Sequence, residues 1–155
     1  VNRGGHKAGS AQFELVAWSQ GKTRHNFLQS EGKANAFSSP ERLRVMFVVG
    51  TMVDLEYSLR ATARATEKAT FGITAAKRVM SVKGRLEQIQ ERINDPRIAQ
   101  ALEALASVKL KINNEVALTE VAQIVGQAAN AFATQADGRQ LSAIDDLLPR
   151  PDQYK

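Results

Sequence analysis

Seven basic side chains, Arg60, Arg64, Lys68, Lys77, Arg78, Lys83 and Arg85, stand between positions 60 and 85 against a single acid, Glu67. This window carries a formal charge of +6, more than the +5 of the whole chain. Guanidinium and ammonium groups at such density recognise anions: carboxylates, phosphates and acidic protein surfaces. In a continuous helix Arg60, Arg64 and Lys68 form one stripe, and Thr62, Thr66 and Thr70 form a second about half a turn away. Like charges four residues apart repel, so the stripe calls for an anionic counterpart. The acids of the same chain, such as Glu103, Glu115 and Glu120, are the leading candidates. An acidic surface on another protein comes next, followed by nucleic acid, anionic lipid or a small anion. Base-stacking aromatics are scarce in this window, Phe71 apart, which weighs against nucleic acid.

Catalytic chemistry finds little to work with. The chain has no cysteine and only two histidines, His6 and His25, so thiolate chemistry and the Glu-x-x-His pairs of helical di-metal sites are missing. Asp54 with Glu56, and Asp145 with Asp146, lie too close along a helix for their carboxylates to face each other. The glycines match neither phosphate-cradling pattern. The expectation is a non-enzyme with no catalytic residues, no metal site and no cofactor. Phe13 and Trp18 are weighed as core residues first and as an interface second, because Trp18 falls off the main apolar stripe and tryptophan is enriched where one edge stays wet.

These side chains must be positioned by helices. Ser38-Ser39-Pro40-Glu41 is a helix start, with a hydroxyl cap and a proline at the first helical position. From Glu41 to Asp95 no proline intervenes, which predicts one helix of about 55 residues. Leu43, Phe47, Met52, Leu55 and Leu59 begin its apolar stripe, and Ile73, Ala76 and Met80 continue it. A slip near Val79, Val82 and Lys83 precedes Leu86, Ile89 and Ile93, so a bend is expected between Gly72 and Gly84. Asp95-Pro96 repeats the capping arrangement and opens a helix over 96–136, with Val108, Ile112 and Val116 on its apolar stripe. Before these, a helix is read over 11–36, breaking near Gly21. Asp137-Gly138 ends the 96–136 helix, and Leu141, Ile144, Leu147 and Leu148 suggest a short fourth helix stopped by Pro149 and Pro151.

The fold class expected is all-α, an elongated antiparallel bundle of three to four helices built on a long helical hairpin, with coiled-coil character. Residues 1–10 read as a flexible basic arm, 11–148 as the single bundle domain and 149–155 as a C-terminal tail. The most apolar run is too short to cross a bilayer. The start at valine slightly favours a processed organellar or periplasmic protein over a cytoplasmic one. The function these features favour is an accessory or structural subunit that docks other protein subunits in a larger assembly. The alternatives are an extracytoplasmic ligand-sensing bundle of a bacterial chemoreceptor or sensor kinase, and a nucleic-acid-binding accessory protein.

Overall fold

The computed structural model describes residues 13–21 and 36–155. The expected arm over 1–10, the stretch 22–35 of the first expected helix and His25 lie outside the described residues. Among the described residues the chain is an all-α helical bundle with no strand. Helix α1 spans Leu15–Ser19, α2 Pro40–Ala63, α3 Thr70–Ile93, α4 Pro96–Ala106 and α5 Glu115–Gln135. A 3-10 helix, Gly138–Leu147, follows where an α-helix was expected, with a kink at Leu141, and a 3-10 turn at Pro151–Gln153 lies in the tail.

The capping signals act as read. The Ser39 hydroxyl accepts the Arg42 N–H at 3.4 Å with Pro40 behind it, and the Asp95 carboxylate accepts the Arg97 N–H at 2.9 Å with Pro96 behind it. Asn94 takes the left-handed conformation, φ 46°, that lets the chain reverse between α3 and α4. Asp137 both follows the end of α5 and caps the next segment through the Arg139 N–H.

The expected continuous helix over 41–95 is instead two helices. α2 ends at Ala63, Arg64 is its C-cap, and α3 starts afresh at Thr70 from an extended, uncapped Ala69. No glycine or proline causes this break. Breaking there lets α3 fold back along α2, so that Val79, Val82, Leu86 and Ile89 join Met52, Leu55 and Leu59 in one core. The helical hydrogen bonds given up at 64–69 are few beside that burial, at about 1.5–3 kcal/mol per fully buried aliphatic side chain.

The new start also removes the expected slip. Gly72, Ala75, Val79, Val82, Leu86 and Ile89 are the buried positions of α3, a regular alternation of three and four. Ile73 and Met80, expected in the core, stand outside it at 46% and 57% exposure. The expected helix over 96–136 is likewise two helices, α4 and α5, separated by 107–114. Val116, placed by sequence on the apolar stripe, is exposed.

α2 is the central element and packs against α1, α3, α5 and the 3-10 helix. Two glycines allow close approach to it. A Cβ at Gly138 would fall on the Glu41 carbonyl oxygen, and one at Gly126 would lie 2.6 Å from a Glu56 carboxylate oxygen. α4 lies on α5 through Arg97, whose guanidinium sits 4.6 Å from the centre of the buried Phe132 ring and is held by Asp95. The tail returns to α1: the Lys155 N–H donates to the Ala17 carbonyl at 2.9 Å, and the Tyr154 ring meets Phe37 at 5.6 Å. Burial, and then the Glu14 carboxylate, push the Tyr154 phenol above its usual pKa.

Candidate functional site

The bundle leaves one side of α2 uncovered. Along α2, Gly50, Val53, Asp54, Tyr57, Ser58 and Ala61 recur at helical spacing, and Phe71, Thr74, Ala75 and Arg78 of α3 face them across a groove of about 800 Å³. Phe13 and helix α1, through Leu15 and Trp18, line one part of it. The start of this short helix is held by Glu14, whose carboxylate accepts the N–H groups of Val16 and Ala17 at 3.0 and 2.7 Å. Gly50 lets it dock, because a Cβ there would lie 2.7 Å from that of Leu15. Phe13 and Trp18 then pack ring against ring at 5.7 Å on the groove wall.

Nine large hydrophobic side chains are exposed among the described residues, and five of them, Phe13, Trp18, Val53, Tyr57 and Phe71, line this one groove. Scattered exposed hydrophobics are ordinary, but a contiguous set marks a contact surface. One charged pair sits within the apolar lining. Arg78 donates to both oxygens of Asp54, at 2.6 and 3.0 Å, and the Ser58 hydroxyl donates to the same carboxylate at 3.3 Å. The side chains of Asp54 and Arg78 are only 11% and 17% exposed, so the fork fixes α2 against α3 beneath the aromatic walls.

The seven basic residues are dispersed by the break at 64–69. Arg60, Arg64 and Lys68 form no single stripe, because only Arg60 lies within α2, Arg64 caps its end and Lys68 lies in the connection. Arg60 pairs with Glu56 at 2.8 Å, Arg64 with Glu115 at 3.0 Å, Arg78 with Asp54, and Lys83 with Glu87. For these four the neutralising acids belong to the same chain, and Glu115 is one that the sequence singled out. Lys68, Lys77 and Arg85 have no ion-pair partner among the described residues.

A second groove, about 740 Å³, opens on the other side of the first half of α3. Lys68, Ile73, Lys77, Met80 and Lys111 line it, with Gly72 and Ala65 beneath. Both connections, 64–69 and 107–114, build this groove, tied by the Asn113 N–H donating to the Ala65 carbonyl at 3.2 Å. The usable signal for the second connection was Asn113-Asn114, where Asn113 takes a positive φ of 54° just before Glu115.

Among the described residues no three histidine or acidic side chains are grouped to hold a metal ion, and no helix is long and apolar enough to cross a membrane. Comparison with protein-family models, with curated proteins and with solved structures finds no match for this chain.

Proposed function

We propose that the chain is a non-catalytic docking module, an accessory subunit whose α2–α3 groove receives the apolar face of a helix from another protein. The carrying observation is the concentration of Phe13, Trp18, Val53, Tyr57 and Phe71 on one groove between two helices. Helix-in-groove recognition uses such a surface, with anchors spaced by three and four residues entering between the walls. Tyrosine, tryptophan and phenylalanine supply large contact area at low entropic cost, and a few such residues dominate binding energy. The Asp54–Arg78 fork keeps the groove at one width while leaving little unpaired charge against an apolar visitor.

A second reading is favoured by one observation. The groove volume lies within the range of small-molecule sites, and Asp54, Ser58 and Arg78 put polar groups at its apolar lining. This is the arrangement a ligand-sensing bundle would use, with the ligand shifting α3 against α2.

Trp18 is the only tryptophan, so its emission reports on the groove directly. Helical peptides selected from a random library against the whole chain should change Trp18 emission in a saturable way. Tyr57→Ala and Phe71→Ala should each weaken them by about 30-fold, the loss of one anchor worth about 2 kcal/mol. The docking reading fails if the selected peptides bind without changing Trp18 and are indifferent to both substitutions. Saturable binding of small apolar compounds at Trp18, with no peptide recovered, supports the sensor reading instead.

A further inference from the structure

We propose that the second groove is a separate docking site for an acidic amphipathic helix of a partner protein, seated with its apolar face on Ile73 and Met80 and its carboxylates on Lys68, Lys77 and Lys111. This goes beyond the aromatic groove and does not depend on it. Ile73, Lys77 and Met80 lie on one outer face of α3, because the buried register of that helix runs through Gly72, Ala75, Val79 and Val82. Two large apolar side chains at 46% and 57% exposure beside the same groove are left uncovered by the bundle. Beneath them α3 is seated tightly on the connection: Gly72 lies so close to Ala65 that a Cβ there would come within 2.8 Å of the Ala65 Cβ, which fixes the two walls of the groove relative to each other.

Charge decides the occupant. Lys68, Lys77 and Lys111 have no carboxylate partner among the described residues, whereas Arg60, Arg64, Arg78 and Lys83 each have one within the bundle. Glu67 is the one acid on the groove wall against three lysines, so the site is net positive around an apolar centre. An apolar channel rimmed by uncommitted ammonium groups is complementary to a helix with leucine-like anchors flanked by glutamates. Its concave shape fits a helix better than the flat surface of a bilayer, where the same residues would have to stand on a convex face.

The test uses the full chain and three probes: a synthetic amphipathic helix with leucine anchors and glutamate flanks, the same peptide with lysine flanks, and vesicles rich in phosphatidylserine. The acidic peptide should bind, and its affinity should fall as salt rises from about 0.05 to about 0.5 M. Lys68→Glu, Lys77→Glu and Lys111→Glu combined should weaken it by about tenfold or more, and Met80→Ser should weaken it without altering the salt dependence. Circular dichroism and melting of each variant establish that it is folded. Tyr57→Ala, in the aromatic groove, should leave this binding unchanged. The proposal is overturned if the lysine-flanked peptide binds as well, if the charge reversals leave binding intact, if Tyr57→Ala abolishes it, or if the vesicles bind and the acidic peptide does not.

Discussion

Replacing Arg78 by glutamine and Asp54 by asparagine, singly and together, probes the fork that sets the spacing of α2 and α3. Exposed ion pairs contribute about 0–1 kcal/mol, while removing one partner of a fully buried pair costs about 3–5 kcal/mol. With side chains 11% and 17% exposed, this pair falls between those limits. Arg78→Gln strands a nearly buried carboxylate whose remaining neighbour of note is the Ser58 hydroxyl, and should cost about 2 kcal/mol. That loss lowers Tm by roughly 4–8 °C in a domain of this size. Asp54→Asn keeps the shape and should cost less, because asparagine still accepts from Ser58 and the guanidinium can reach solvent. Once one partner has been replaced, replacing the other costs little more, so the double variant should be more stable than the two losses added together, by about 1–2 kcal/mol of coupling. Urea denaturation followed by far-ultraviolet circular dichroism measures all four proteins. If the single losses add to within about 0.5 kcal/mol, the fork is not coupled and another contact must hold the groove open.

Two glycines should respond in opposite directions. Gly84→Ala meets nothing within 4 Å in the middle of α3 and should stabilise by about 0.5–1 kcal/mol, whereas Gly138→Ala drives a methyl group into the Glu41 backbone and should destabilise by about 1–3 kcal/mol, both read from thermal melts. Asp95 gives a pH dependence. Its carboxyl pKa lies below the usual value of 3.8, chiefly through the Arg97 guanidinium, so its stabilisation is present above that value and is lost as pH falls through the lower folded one. Asp95→Asn keeps the helix cap but not the charge. Its melting temperature should fall less steeply than that of the native protein below about pH 4, and parallel curves would place the acid sensitivity elsewhere.

The sequence made the all-α bundle legible through features that act locally. Ser39-Pro40, Asp95-Pro96 and Asp137-Gly138 each satisfy or terminate a helix with their own atoms, and each marks an end within a residue or two. The break at 107–114 carries a local mark in Asn113-Asn114, whereas the break at 64–69 carries none, because tertiary burial and not local chemistry makes it. Arg64, Ala65, Glu67, Lys68 and Ala69 are all adequate helix formers, and only folding α3 against α2 overrides them. The same error displaced the candidate site. A continuous helix put Ile73 and Met80 in the core and aligned Arg60, Arg64 and Lys68, whereas the folded hairpin exposes the first two and scatters the other three. Phe13 and Trp18 were legible as candidates from their residue types. Their partners Val53, Tyr57 and Phe71 were not, since facing across a groove between α2 and α3 depends on the turn that no local signal announced.

The docking proposal rests on the aromatic groove, and an amide and indole chemical-shift map of the isotope-labelled chain, titrated with a library-selected helical peptide, tests it most directly. The large shifts should fall on the Trp18 indole N–H and on the amides of Val53, Tyr57, Phe71 and Thr74, with α4 and the 3-10 helix Gly138–Leu147 unmoved. Shifts confined to α4, α5 or that 3-10 helix, with the Trp18 indole unchanged at saturation, would contradict it.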